Sequence, residues 1–273
     1  MEITVVIPTY NRYSFLQRAL KSVFAQTYPV KEVIVVDDGS NDQTSQIQHK
    51  YPQVRYIYQS NQGVSSARNR GVKEALYEWI VFLDSDDTFA AQKLEKQVTF
   101  HKQNPHFLMS YTDERWIRDD QELNIPKKFQ KIGIDPFWEN IEYCNIAPSS
   151  VMIHKSLFEK VGYFDESLEV CEDYDLWLRI AREYPVGLLK EKLITKYAGH
   201  DDQLSFKHWG MDRFRVQTLE KLLNTENNQE KTKKIKELLK KKYTLLLKGA
   251  IKYDKIHDTL RYRKKIEQLN KRD

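Results

Sequence analysis

Apolar positions fall into two alternating patterns over the first hundred residues. Residues 3–7, 32–36, 54–58 and 79–83 are short runs rich in Val, Ile, Tyr and Phe and read as strands. Between the first two, Phe15, Leu16, Ala19, Leu20, Val23 and Phe24 recur at helical spacing within residues 14–25. A helix over residues 43–49, capped by Ser40 or Asp42, and another over 64–76 after the Asn61-Gln62-Gly63 turn complete the alternation. Strands interleaved with helices in this way predict an α/β fold with a mostly parallel, doubly wound sheet.

Farther along, residues 90–103 read as a helix, 109–117 as a strand and 119–140 as an irregular polar stretch. A strand over 148–154, a short helix over 155–161, a helix over 172–183 and a strand over 187–197 follow. The 172–183 helix sets Tyr174, Leu176, Trp177 and Ile180 on its apolar side. From about residue 208 the pattern is helical to the end, and no internal repeat is seen.

Composition changes this picture in one respect. The hydrophobic fraction of 40% suits a sizeable core, and 9 Gly and 8 Pro in 273 residues argue against low complexity. The net charge of +5 hides an asymmetry: residues 207–273 carry 20 basic and 9 acidic side chains, net +11, leaving the body at net −6. A basic tail on an acidic body points to anionic partners such as a membrane surface or an anionic glycan. Nucleic acid is disfavoured because the tail carries no recognised motif. Met1-Glu2 leads directly into a strand pattern, and no apolar run approaches the ~20 residues of a membrane span. Cys144 and Cys171 lack CxxC spacing and read as reduced, partly buried thiols. Together these features predict a cytoplasmic protein, with peripheral contact to the inner face of the membrane through the tail as a further expectation.

The candidate chemistry lies at strand ends. The apolar run 79–83 stops at Asp84-Ser85-Asp86-Asp87, three carboxylates within four positions. A run of this kind reads as a central buried strand, and open α/β sheets bind ligands beyond the carboxyl ends of such strands. The three charges repel one another unless a cation joins them. That predicts a hard divalent metal, Mg²⁺ or Mn²⁺, and a phosphate-bearing ligand; the bland alternative is a polar turn. Asp37-Asp38 ends the second strand on the same edge, where a carboxylate could accept hydrogen bonds from a base or ribose. Glu172-Asp173-Tyr174-Asp175 opens a helix; these acids either only complement the helix dipole or place Asp173 as a general base on a substrate hydroxyl.

Four segments occur in order: Val6-Ile7-Pro8-Thr9-Tyr10-Asn11-Arg12, Val35-Val36-Asp37-Asp38-Gly39-Ser40-Asn41-Asp42, Asn61 to Asn69, and Leu83-Asp84-Ser85-Asp86-Asp87. With Phe164-Asp165-Glu166 and Glu172-Asp173-Tyr174-Asp175, they resemble the family 2 glycosyltransferases, inverting enzymes of GT-A fold, over about residues 2–200. The resemblance implies a GT-A domain over 1–206, with a nucleotide-binding half (1–100) and an acceptor-side half (101–206), followed by a basic helical extension over 207–273. It implies that Pro8, Thr9, Tyr10 and Asp38 hold the donor's nucleoside and that Arg68 steadies the nucleotide. Asp84-Ser85-Asp86 resembles the DxD motif, with Asp84 on ribose or supporting the metal and Asp86 on the metal. Asp173 resembles the catalytic base, with Glu172 in support, and His200 resembles a late histidine that joins the metal. The expected reaction is metal-assisted single displacement from a nucleotide-diphosphate sugar, with UDP favoured and dTDP and GDP open. The acceptor would be a hydroxyl of a glycan or lipid-linked acceptor in cell-surface polysaccharide or lipopolysaccharide synthesis.

Two other readings compete. Phe82 to Thr88 also resembles the nucleophile strand of haloacid-dehalogenase-type phosphatases, with Asp84 phosphorylated, although that strand is normally the first of its fold. A nucleotide-sugar-binding scaffold without turnover is the other, and Asp173 speaks against it because binding alone needs no base. In the tail, Ile235, Leu238, Leu239 and Leu245 to Leu247 interleave with lysines. They suit an amphipathic helix packed on the body, a bilayer contact or a homodimer.

Overall fold

The computed structural model describes residues 1–199 and 210–271. Its contacts divide the chain into two compact units, Met1–Gln203 and Leu204–Asp273.

The first unit is built on one sheet. Its strands are β1 (Ile3–Thr9), β2 (Glu32–Asp38), β3 (Arg55–Gln59), β4 (Trp79–Phe82), β5 (Thr88–Phe89), β6 (Met109–Arg118), β7 (Gln121–Glu122), β8 (Met152–His154) and β9 (Gly187–Tyr197), ordered β3-β2-β1-β4-β8-β6-β9-β5 with β7 on β6. The four strands β3-β2-β1-β4 are parallel. β8 then runs antiparallel to both β4 and β6, whereas β6 and β9 are parallel. The sheet is therefore mostly parallel: among the described strands only β8 and the two-residue strands β5 and β7 run against the others.

Helices α1 (Tyr13–Phe24), α2 (Ile47–Lys50), α3 (Val64–Glu74), α4 (Lys93–Gln103), α5 (Pro136–Asn140), α6 (Ser156–Val161) and α7 (Glu172–Glu183) complete the unit. Every residue of β1 and β2 is buried, as expected of strands covered on both faces. Alternate side chains feed two cores. Val6, Ile34, Ile80 and Phe82 pack with Ala67 and Val72 of α3 and Leu176 and Trp177 of α7. Ile3, Val5, Ile7, Val33 and Val81 pack with Leu16, Ala19 and Leu20 of α1 and Leu94 and Val98 of α4. α3 lies so close to β1 that a Cβ on Gly71 would come within 2.3 Å of Val6 Cγ1.

Several boundaries differ from the sequence pattern for local reasons. Pro148–Ser150 forms a 3-10 turn, so the strand expected from residue 148 starts only at Met152. α4 begins at Lys93, three residues later than the helix expected from residue 90, because Thr88–Phe89 pairs with β9. The stretch 119–140 contains α5, whose N-cap Asp135 accepts from the backbone N–H of Phe137 and Trp138.

In the second unit, α9 (Gln229–Lys252) packs against α8 (Asp212–Thr225) and α10 (Ile256–Asn270). Ile235, Leu239, Tyr243, Leu246 and Ala250 form the buried stripe of α9. Lys242 lies within that stripe and donates to Asp212 Oδ1 at 2.8 Å. No helix among the described residues is long and apolar enough to cross a membrane.

Candidate active site at the carboxyl edge of the sheet

The parallel register carries the ends of β1, β2 and β4 to one edge. Thr9 lies opposite Asp37, and Leu83 N donates to Val6 O just beyond the β1–β4 ladder. The loops leaving this edge are tied together by polar side chains. Asn11 adopts a left-handed conformation (φ 52°); its N–H donates to Ser40 Oγ, and its Oδ1 accepts from Asn41 N, both at 2.8 Å. Gly39 sits at φ +85°, where a Cβ would meet Asn61 N at 2.7 Å, so only glycine lets the β2 turn lie against the loop before α3.

Asp38 is buried and organises that loop. Its Oδ1 accepts from Gln59 Nε2 at 2.7 Å and Gln62 N at 2.9 Å, and its Oδ2 accepts from Gly63 N at 2.8 Å. A carboxylate offers about four lone-pair sites, so three donors leave one acceptor position unused. Asp37 is held separately, by Ser40 N at 2.8 Å and by the Tyr56 hydroxyl. Pro8 and Thr9 are buried, Thr9 Oγ1 has no hydrogen-bond partner, and the Tyr10 ring is 47% exposed on the rim.

The Asp84–Asp87 segment is a closed turn in which Asp87 N donates to Asp84 O at 3.0 Å. Ser149 stitches it from across the sheet: its Oγ accepts from Asp84 N at 3.0 Å and donates to Asp87 Oδ2 at 2.6 Å. Burial, reinforced by Asp86 and Asp84, raises the Asp87 carboxyl well above the usual carboxylate range, so Asp87 belongs to the frame of the turn. Ser85 is buried within it. Asp86 is gripped from α1's side: Arg12 Nη1 donates to its Oδ2 at 2.7 Å and Arg18 Nη2 to its backbone oxygen at 2.8 Å.

Arg68 joins the two halves of the unit. Buried beside the Phe164 ring, it donates from Nη2 to Asp84 Oδ1 at 2.6 Å and from Nη1 to Glu172 Oε1 at 2.5 Å. Both guanidinium arms are thus engaged by protein carboxylates, making Arg68 a strut between the β4 turn and the start of α7. Burial and the adjacent Asp173 push Glu172 up to about 7, against the opposing pull of Arg68. The neighbouring Asn69 holds the chain leading into α7, exchanging 3.0 and 2.9 Å hydrogen bonds with the backbone of Phe164 and reaching Glu166 Oε1 at 2.8 Å. The Phe164-Asp165-Glu166 segment is therefore a docking turn.

Asp173 stands half-buried in the first turn of α7. Its Oδ1 accepts from Tyr174 N at 2.7 Å, and Cys144 Sγ lies 3.5 Å from its Oδ2. The residue before the acidic pair, Cys171, is left-handed (φ 65°) without being glycine, a costly conformation of the kind that gathers at functional sites. Neither cysteine is in a disulfide.

Lys196, near the end of β9, escaped the sequence pattern. Burial opposes its charge, but the carboxylates of Glu114, Asp87, Asp84 and Asp173 outweigh burial and hold the ammonium above the usual lysine range. The edge therefore carries its own cation among the acids read from the sequence. Only strand register, which places Lys196 opposite Trp116, brings it there. His200 lies outside the described residues. The structure thus gathers Pro8, Thr9, Tyr10, Asp38, Arg68, Asp84, Ser85, Asp86, Glu172 and Asp173 in one unit, with Arg68 linking Asp84 to Glu172. Asp84 and Asp86 offer carboxylate oxygens of the donor type that Mg²⁺ or Mn²⁺ takes, but among the described residues no three such side chains gather as a metal site.

The family model for Glycosyl transferase family 2 matches residues 4–162, and the chain belongs to that family. An uncharacterized glycosyltransferase of Rickettsia conorii is 34% identical over 195 residues, 70% of this chain and 32% of the relative. The chain thus spans about a third of the length of that relative. The Escherichia coli UDP-Glc:alpha-D-GlcNAc-diphosphoundecaprenol beta-1,3-glucosyltransferase WfaP is 31% identical over 183 residues, 65% of this chain and 69% of the relative. Among solved structures, S. aureus TarS 1–349 in complex with UDP-GlcNAc superposes with a TM-score of 0.72 at 21% identity, covering 88% of this chain and 71% of TarS. The fold is GT-A with C-terminal helices, and a haloacid-dehalogenase-type arrangement, with Asp84 on the first strand, is excluded.

Proposed function

We propose that the chain is an inverting glycosyltransferase that moves a sugar from a UDP-linked donor to a hydroxyl of a glycan or lipid-linked acceptor. The observation that carries this reading is the Arg68 bridge, which ties the Asp84 turn at the donor edge to Glu172, one residue from Asp173. UDP is favoured because both the E. coli relative and the TarS complex are named for UDP-sugars. A lipid-linked acceptor follows the diphosphoundecaprenol in the relative's name. Cell-surface polysaccharide or lipopolysaccharide synthesis is the corresponding pathway class.

In this reading the base lies against the exposed Tyr10 ring, and the acceptor position left on Asp38 takes one N–H of the base. Pro8 and Thr9 floor the nucleoside site. Asp86 would hold a divalent Mg²⁺ or Mn²⁺, with support from Asp84 and His200; when bound, the ion offsets charge on the leaving diphosphate. Lys196 supplies fixed positive charge to the same diphosphate. Asp173 takes the proton from the acceptor hydroxyl as its oxygen attacks the anomeric carbon; the bond to the diphosphate oxygen breaks, and the configuration inverts.

The test is a donor screen read as nucleoside-diphosphate release, with Mn²⁺, Mg²⁺ or excess EDTA. Turnover with a UDP-sugar that EDTA abolishes is expected. Full activity in EDTA would remove the metal from the account, and absence of turnover with every donor would favour a binding scaffold.

A further inference from the structure

Five of the eleven large apolar side chains that stand exposed among the described residues fall within residues 245–260. Leu245, Ile251, Tyr253, Ile256 and Leu260 are between 50% and 72% exposed, around the turn joining α9 to α10. On α9, residues 241, 244, 245, 248, 251 and 252 are all exposed and follow the i, i+3, i+4, i+7 spacing of one helical stripe, opposite the packed stripe of Leu239, Tyr243, Leu246 and Ala250. On α10, Ile256 and Leu260 are one turn apart, and the exposed Arg263 and Lys264 continue their face. Residues 248–264 hold six basic and two acidic side chains.

We propose that this helical hairpin tip is a docking surface for an anionic lipid bilayer. Tyr253, Ile256 and Leu260 enter the headgroup and acyl boundary, Leu245 and Ile251 follow along α9, and Lys248, Lys252, Arg261 and Lys264 meet the lipid phosphates. Apolar side chains at the tip with basic ones around them match a surface that is apolar inside and negative outside. A second copy of the chain would set like charges against each other. A nucleic acid would engage the lysines but leave the apolar side chains in water. The inference goes beyond the proposed transfer reaction and does not depend on it, since it concerns adsorption of the protein with no sugar turned over.

The experiment is co-sedimentation of the full chain with vesicles of phosphatidylglycerol and phosphatidylethanolamine (1:3) or of phosphatidylcholine alone, at low and high salt. Binding is expected to the first at low salt and to be weakened by high salt. Ile256→Asp/Leu260→Asp should weaken it by at least tenfold, roughly the effect of withdrawing two apolar side chains and adding two negative charges. Lys248→Gln should weaken it by about fivefold, the weight of one basic residue near an anionic surface. All three positions mutated are exposed, and unchanged thermal unfolding verifies the fold of each variant. Equal sedimentation of wild type and the double variant, or equal binding to both vesicle types, would overturn the proposal. So would a dimer that dissociates in the double variant while vesicle binding is absent, which would assign the surface to a second copy.

Discussion

Replacing Arg68 with methionine removes the guanidinium that joins the Asp84 turn to the start of α7, while keeping most of the side chain's volume. The Arg68–Glu172 side chains are 4% and 7% exposed, so this arm is a buried pair, and losing one partner of such a pair costs about 3–5 kcal/mol. The Asp84 arm, 27% exposed, adds no more than about 1 kcal/mol. Glu172 has a way out: already pushed up to about 7, it takes a proton once the guanidinium is gone, which holds the loss near the lower bound. The expected destabilisation is therefore about 3 kcal/mol, a large fraction of the stability of an ordinary domain. Urea unfolding followed by tryptophan fluorescence reads it, since Trp177 is buried beside Phe164. Arg68→Met/Glu172→Met should recover to within about 1–2 kcal/mol of wild type, because replacing both partners by apolar groups is nearly neutral. UDP release should stay low in both variants. A loss below about 1 kcal/mol in Arg68→Met, or a double variant no better than the single, would refute the buried strut.

Glu172 also predicts opposite pH trends for activity and stability. Its pKa is raised from 4.5 to about 7, so the folded state holds a proton that the unfolded chain has released, and stability falls as pH rises through that window. The ion pair with Arg68 needs the ionised form, so kcat/KM should rise through about pH 7 and be lost below it; Glu172→Gln should flatten both trends in paired urea and pH–rate series. Lys196→Met should weaken UDP binding at least tenfold, about 1.4 kcal/mol, by removing a charge-assisted contact to the diphosphate, with isothermal calorimetry as the readout. Unchanged affinity would return Lys196 to a purely structural balancing of Glu114 and Asp87.

How far the site was legible from sequence follows from what periodicity can carry. α7 and β9 coincide with the predicted residues 172–183 and 187–197, α7 because its apolar residues keep one helical period. Asp42 rather than Ser40 caps the helical turn after β2, accepting from Thr44 N at 2.8 Å, a choice that two capping residues two positions apart leave open. The reversal at β8 was invisible, since strand direction leaves no mark in an apolar run. Strand-end acids were found because a charge cluster after an apolar run is a local signal. Lys196, placed by the register of β9, and Ser149, in the 3-10 turn before β8, are single polar residues that the fold brings to the Asp84 turn, and no spacing in the chain announces them. Arg68 was recognised, but the pairing of both its arms depends on α7 returning to α3 across a hundred residues.

The central claim is that Asp173 is the base of a sugar transfer organised at this edge. The direct measurement is transfer by Asp173→Asn beside UDP binding by the same protein, with the UDP-sugar that the donor screen selects. The account predicts UDP affinity within about twofold of wild type and turnover reduced at least ~100-fold, the scale of general-base loss. Near-normal turnover in that variant, with the fold intact, would contradict it.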